Sequence, residues 1–313
     1  MAEVTIIKSK SGFQWIDIFN PKKSDIEALA KEYGIHSTSV QDCLDPEHLP
    51  KFEKLSTYSF IILRAFDEKS SLESDTVEEL TRKIAIFYTD QFIITVHRKD
   101  QTFLAKLRDK WKTEFEQRES VSSSLMLASL MKEILQTYEH PVDEGLNLLE
   151  SYEMGIFNAH GAKPFTLESG YFLKRKAFVY KRVIRMSFDA LQKIISTSEP
   201  THTPYYQDLR ETLDSLYFYA DELVESVNAL LNLHISIQQQ KTNEASHRTN
   251  EVMRILTIFS VFFMPLNFIA SIYGMNFEFM PELHMRLAYP LVLTVMFTTA
   301  ISIYLWFRRK GWM

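Results

Sequence analysis

Between Ile255 and Tyr273 the chain runs through nineteen positions without a charged residue, inside the stretch EVMRILTIFSVFFMPLNFIASIYGMN that spans Glu251–Asn276. As a helix rising about 1.5 Å per residue, such a run is roughly 28 Å long, close to the hydrocarbon thickness of a bilayer. A simple anchor would be uniformly apolar, and this segment is not. Asn250, Met253, Thr257, Ser260, Met264, Asn267 and Ser271 recur at intervals of 3, 4, 3, 4, 3 and 4, which places all seven on one stripe, as in a coiled-coil seam. Ile255, Phe259, Phe262, Phe263, Phe268 and Ile269 occupy the other faces and suit lipid or neighbouring helices.

A stripe of amides, hydroxyls and thioethers has two readings. Small and polar residues hold membrane helices together, or they line a water-filled path. The residues that follow favour the second. The run YGMNFEFMPEL, Tyr273–Leu283, resembles the signature of the CorA family of magnesium channels, whose GMN tripeptide closes the first of two transmembrane helices. A GMN at the end of a charge-free helix, an MPEL turn, a second apolar helix and a basic tail coincide over residues 248–313. Upstream the similarity is looser, carried by WIDI near the start and by the later ITVH.

A mean hydropathy of −0.14 suggests a soluble protein, but the average hides a division. Residues 251–313 hold five Lys/Arg and three Asp/Glu of the chain's 35 and 40, so the first 250 residues form an acidic body of net charge −7. Such a body disfavours nucleic acid and suits cations. Cys43 is the single cysteine, which excludes an intrachain disulfide. The N-terminus MAEVTIIKSKSG lacks a secretory apolar region, so this end is expected in the cytoplasm.

Residues 1–118 read as an α/β cytoplasmic domain. Phe13–Phe19 and Tyr58–Phe66 are β-rich, and Lys83–Tyr88 and Phe92–His97 flank Thr89-Asp90-Gln91 as a hairpin would. Lys22–Tyr33, ending at Gly34, and Thr102–Glu116 have helical spacing. Residues 119–203 read as a helical segment with a break or kink at Pro141, a loop over GIFNAHGAKP and a helix over Leu167–Ser196. Thr203-Pro204 resembles an N-cap followed by proline at the first helical position, and neither glycine nor proline recurs until Pro265. Residues 204–276 are therefore expected to form one long stalk helix that continues into the membrane over about 255–273. Lys241-Thr242-Asn243-Glu244 is echoed seven residues later by Arg248-Thr249-Asn250-Glu251, a heptad insertion that would lengthen the stalk and keep the same face inward.

Residues 277–286 read as an external loop, 287–307 as a second charge-free transmembrane helix and 308–313 as a basic tail. Arg308, Arg309 and Lys310 follow that helix at once, whereas the loop carries only Glu278, Glu282 and Arg286. Basic residues stay inside, which puts both termini in the cytoplasm of a cell inner membrane and the GMN end outside.

One stripe on one helix cannot enclose a path, but a symmetric ring of such helices can. The family resemblance implies a homopentameric funnel in which the first helix lines the pore. It assigns the selectivity filter to Gly274, Met275 and Asn276, and pore lining to Asn250, Met253, Leu256, Thr257, Ser260, Met264, Asn267 and Ser271. Met253, Leu256 and Met264 match its hydrophobic constriction, although ordinary helix packing also accounts for them. Asn267 stands where relatives often carry threonine. Mg²⁺ sheds its waters reluctantly, so a ring of Asn276 amides can accept hydrogen bonds from the hydrated ion and release it, where carboxylates would hold it. Gly274 is expected to permit the non-helical backbone that turns Asn276 inward; the alternative for Asn276 is a helix C-cap amide. Glu278 and Glu282 read as solvated charge or as mild attraction for cations. No GxxxxGK[ST] loop appears, and a divalent ion gains about 4.6 kcal/mol per 100 mV of inward-negative potential, so passive Mg²⁺ influx needs no pump and no organic cofactor.

An unpumped pore requires an internal sensor. In the family such sites join an acid near a strand end to one on a neighbour's stalk, which implies regulatory Mg²⁺ at Asp67 and Glu68 together with Asp208, Glu211 and Asp214. The histidines lack metal-site spacing, and Lys174, Arg175, Lys176, Lys181, Arg182 and Arg185 read as a solvated face or one paired with the acidic helix around Asp143–Glu153. Alternatives to a Mg²⁺ channel, with Co²⁺ or Ni²⁺ also admissible, are a Zn²⁺-selective relative and a cytoplasmic enzyme or scaffold held by a membrane hairpin. The second lacks any catalytic constellation in residues 1–250.

Overall fold

Strands whose two faces are both apolar belong in the middle of a three-layer domain, and the central strands here meet that condition. The computed structural model describes residues 3–71, 73–119, 121–156, 164–199 and 203–312. It divides into one unit up to His234 and a second from Ile235. The first contains a sheet of β1 (Glu3–Lys8), β2 (Gln14–Phe19), β3 (Lys51–Lys54), β4 (Ser59–Phe66), β5 (Thr81–Tyr88) and β6 (Phe92–His97), ordered β1-β2-β6-β5-β4-β3. β2 and β6 pair in parallel, with Asp17 opposite Thr95, and the other neighbours are antiparallel. The β5–β6 hairpin closes over Thr89-Asp90-Gln91, where the Thr89 N–H donates to Phe92 O at 2.9 Å.

Alternation along β4 distributes its side chains between two cores. Ile61, Leu63 and Ala65 join Trp15, Ile84, Ile86 and Ile93 on one face, whereas Phe60 and Ile62 join Ile16, Phe87 and Val96 on the other. The second face is covered by α1 (Lys23–Tyr33) and α2 (Ser37–Leu44), through Ile26, Val40 and Cys43. The sequence reading contains α1, including Gly34, whose φ of 66° lies in the left-handed region that favours glycine. It contains neither α2 nor the edge strands β1 and β3. α2 starts at His36, whose side chain accepts from the Thr38 N–H.

The first face is covered by α4 (Thr102–Gln117), α5 (Ser123–Gln136), α7 (Leu167–Thr197) and the start of α8 (Thr203–Tyr273), with the one-turn α3 (Val77–Leu80) leading into β5. α6 (Glu139–Ile156) packs with α7 and α8 in a further cluster that includes Leu149, Leu173, Ala177 and Leu223. A Cβ on Gly145 would stand 2.7 Å from a Leu223 methyl, so this glycine sets how closely α6 and α8 approach. The chain breaks between α5 and α6 at Thr137-Tyr138, and Pro141 falls in the first turn of α6, where a missing N–H costs nothing. Residues 157–163 of the expected loop lie outside the described residues. α8 continues unbroken past Pro204 and contains Pro265.

A polar network is built into the sheet at β2 and β6. The Trp15 indole donates to Thr95 Oγ1 at 3.0 Å, and Thr95 donates to Asp17 Oδ1. Arg108 of α4 reaches Asp17 Oδ2 at 2.8 Å, and His97 Nε2 stands 3.2 Å from Asp17 Oδ1. WIDI and ITVH thus carry the two ends of one buried ion cluster.

The second unit holds the remainder of α8, a 3₁₀ turn at Pro281–His284 and α9 (Ala288–Arg309). α8 and α9 are both long and apolar enough to cross a membrane.

Candidate ion pathway

Asn250, Met253, Leu256, Thr257, Ser260, Met264, Asn267 and Ser271 all lie on α8, and all are exposed in the single chain. The faces opposite are also open: Phe259 is 61% exposed and Phe268 67%. Met264 on the stripe is 70% exposed. An apolar helix surface left this open requires lipid or further copies against it. Phe259 and Phe263 stack at 5.5 Å, so the aromatic side of the helix is already ordered within the chain. Thr257 donates its hydroxyl to Met253 O at 2.8 Å. Its proton is satisfied within its own helix, which leaves oxygen lone pairs to whatever faces the stripe.

α8 ends at Tyr273 with its final carbonyls taken up locally. The Gly274 N–H donates to Ala270 O at 3.0 Å and to Ser271 O at 3.2 Å, and the Met275 N–H donates to Ile272 O at 3.3 Å. These tightened contacts are how a helix end satisfies its last acceptors without a side chain. Helical backbone stops at Tyr273, so Gly274 is the first residue outside α8, and its φ is not positive. A Cβ on Gly274 would stand 3.3 Å from Ala270 O, a tight approach to the last turn of the helix. Asn276 is exposed beyond the helix, and its amide makes no hydrogen bond with any described residue. The C-cap alternative for Asn276 therefore has no support in the geometry. Glu278 and Glu282 are exposed, the latter in the 3₁₀ turn.

At the other end of α9, Arg308 and Arg309 occupy the last turn, and Gly311 at φ 71° follows. Trp306 and Phe307 pack with Trp312, ring centroids 6.1 and 5.7 Å apart. Sequence reasoning overlooked this cluster. Its signal is aromatic residues placed where an apolar helix meets a basic tail, the composition of a membrane-interface belt.

The acids expected to sense internal ion are not gathered within one chain. Asp67 is 8% exposed and ion-paired with Arg82, and it accepts from the Lys69 N–H at 3.1 Å. Glu68 and Glu211 are exposed. Asp208 is bridged by Lys132 at 2.7 Å, and Asp214 lies 3.8 Å from Arg210. Among the described residues no cluster of three or more His, Cys, Asp or Glu forms a metal site. Of the basic run on α7, Arg175 reaches Asp75 at 2.6 Å, Lys181 pairs with Asp221 of α8 and Arg185 lies 3.6 Å from Asp189. These partners lie outside the Asp143–Glu153 helix, and Arg175, Arg182 and Arg185 are exposed, as the solvated-face reading expects. Burial holds the Lys176 amine below the ordinary range, against the attraction of Glu144 of α6 and of Asp75.

Comparison with known proteins fits this arrangement. A family model described as CorA-like Mg²⁺ transporter protein matches residues 10–309. The chain is 26% identical over 307 positions to the cobalt/magnesium transport protein CorA of Thermotoga maritima, covering 96% of this chain and 83% of that one. It is 25% identical over 318 aligned positions to the magnesium transport protein CorA of Haemophilus influenzae, covering 96% and 92%. In fold it is similar to the solved CorA magnesium transporter of Methanocaldococcus jannaschii, with a TM-score of 0.63 and 21% identity over 96% of this chain and 92% of that one. It is also similar to the ZntB cytoplasmic domain of Vibrio parahaemolyticus, with a TM-score of 0.61 and 14% identity over 77% and 100%. The chain belongs to the CorA-like Mg²⁺ transporter family, membrane proteins that carry divalent cations and are not enzymes.

Proposed function

We propose that this chain forms a homopentameric channel for passive influx of hydrated Mg²⁺, with the α8 stripe lining the path and Asn276 at its outer mouth. The observation that carries the reading is the uncharged polar stripe on α8, followed beyond the helix end by the Asn276 amide, which has no hydrogen-bond partner among the described residues. A Mg²⁺ ion that keeps its waters needs acceptors for those waters, and neutral amide oxygens accept without binding the ion so tightly that it stays. Met253, Leu256 and Met264 form an apolar constriction that closes the path by dewetting. The basic end of α9 stays in the cytoplasm. Relatives named for cobalt and magnesium make Co²⁺ the first competing ion to test.

Ion flux into liposomes containing the purified protein, compared across Mg²⁺, Co²⁺, Ni²⁺ and Zn²⁺, tests the ion preference. Asn276→Ala is expected to reduce Mg²⁺ flux on the order of tenfold or more, because a methyl group cannot accept from the hydration shell, while the oligomer still assembles. Unchanged flux and selectivity in that variant would remove Asn276 from the mouth. A faster flux of Zn²⁺ than of Mg²⁺ would assign the chain to the Zn²⁺-selective alternative.

A further inference from the structure

Although the first 250 residues carry a net charge of −7, one cavity in the α/β unit is surrounded by cations. It has a volume of about 240 Å³ and lies against the last residues of β6 and the first of β5, lined by Arg64, Arg82, Lys83, Arg98 and Lys99. Glu78 is the one acid among the described lining residues. Arg82 has Asp67 as its partner, and Asp45 attracts Lys83 and Arg64, which leaves two cations in excess.

Part of this charge has a structural use. Arg64, 1% exposed, donates to Thr81 Oγ1 at 2.6 Å, Pro46 O at 2.8 Å and His48 O at 3.0 Å. Lys83 gives its three protons to the carbonyls of Asp42, Cys43 and Asp45, and Arg98 donates to Leu44 O at 2.8 Å. These cations satisfy the carbonyls left at the end of α2 and favour that end of its dipole. Neutral carbonyls satisfy the donors but leave the charge uncancelled. Burial accordingly holds the Lys83 amine down to about 8, with Arg64 and Arg98 adding repulsion against the attraction of Asp45 and the Cys43 side chain.

Fastening the 42–48 segment does not account for the donors left over. Arg82 Nε is buried and makes no hydrogen bond. Arg98 uses one guanidinium nitrogen, and the Lys99 ammonium makes neither hydrogen bond nor ion pair with a described residue. Arg82 already gives Nη1 to the Glu78 and Thr81 carbonyls and Nη2 to Asp67, so it adds charge to the wall, while the guanidinium of Arg98 and the ammonium of Lys99 keep free donors. A planar fork and a point charge, around a space large enough for a tetrahedral oxyanion, match the donor set that recognises phosphate. We infer that this cavity binds a soluble phosphate-bearing anion through Arg98 and Lys99, beside the charge of Arg82. The inference is independent of which cation the membrane part conducts.

The test uses the full-length protein in detergent or nanodiscs, with inorganic phosphate and AMP as separate probes, by titration calorimetry in low-salt buffer. Saturable binding of one or both, with a Kd on the order of 1 mM or tighter, is expected. Lys99→Glu, at an exposed position that supports no core contact, should weaken binding by about tenfold or more. Lys112→Glu on α4 makes the same charge change outside the cavity lining and should leave the affinity unchanged. Preference for AMP would identify a nucleotide, and equal affinity for both probes a bare phosphoryl site; either supports the assignment. Absence of saturable binding by both probes overturns it, as does an equal loss in Lys99→Glu and Lys112→Glu, which would mean diffuse attraction without a site.

Discussion

Asp17, 1% exposed, keeps its proton affinity below the ordinary carboxylate value of 3.8. Burial alone would raise it, but His97, Thr95 and Arg108 together outweigh that cost. Burial likewise works against a charged His97, yet contact with Asp17 and the Lys99 carbonyl raises its imidazole above 6.5. The signs set a pH window. A lowered Asp17 contributes stability that is present above 3.8 and lost as pH falls through its folded value, while a raised His97 contributes stability that is complete below 6.5 and lost as pH rises through its folded value. The melting temperature of the α/β unit, followed in the full-length protein, should therefore decline by a few degrees between pH ~6 and ~9. His97→Gln should lower it at pH ~6 and flatten the alkaline decline; an unchanged slope would separate His97 from the effect. Asp17→Asn removes the common partner of buried His97 and half-buried Arg108 and should cost about 3 kcal/mol or more.

α8 poses a problem of periodicity. Its stripe repeats every 3.5 residues, whereas a straight helix repeats every 3.6, so the stripe drifts by about 20° per heptad and by roughly 60° over the three heptads from Asn250 to Ser271. Left-handed supercoiling of neighbouring copies removes the drift, which is the geometry of a helical ring around an axis. Pro265 cannot donate to Val261 O, one turn earlier, and offers a point at which the helix can bend. Cysteines at Met264, Asn267 and Ser271 should react with small hydrophilic thiol reagents, and cysteines at Phe259, Phe263 and Phe268 much less. Cys43→Ala is a suitable background, because Cys43 is buried and its thiol is pushed up to about 11. Equal labelling of both sets would make the stripe a packing surface. Much of this was legible beforehand, because α1 ends on a left-handed glycine, the β5–β6 turn is polar and α8 lacks helix breakers for sixty residues. β1 and β3 were not legible: edge strands such as KFEK alternate charge with a single apolar residue and borrow their order from a neighbour. The loss of helix at Thr137-Tyr138 was assigned to Pro141 instead, since nothing in the local sequence shows that Tyr138 is drawn into the core to donate to Arg64 O at 3.0 Å.

At the scale of the whole molecule, the passive pore proposed above calls for a second proposal, that internal ion opposes its opening. The acids proposed for that role are already occupied within their own chain, Asp67 by Arg82 and Asp208 by Lys132. A Mg²⁺ ion bridging Asp67 of one protomer to Asp208 of the next must therefore displace both cations, and its apparent affinity falls by the cost of freeing the carboxylates. Only an ion that binds the closed arrangement more tightly than the open one shifts the population. This gives two variants with opposite signs. Neutralising Asp67 and Asp208 together should leave conduction intact and raise the internal Mg²⁺ needed to inhibit flux. Arg82→Gln frees Asp67 and should lower that requirement, by about tenfold for each 1.4 kcal/mol of ion pairing removed. Flux into liposomes preloaded with graded Mg²⁺ measures both. An inhibition curve that moves for neither variant would remove Asp67 as a sensor, whereas one that moves the same way in both would mean that Asp67 and Arg82 act together in holding the loop after β4 and bind no ion.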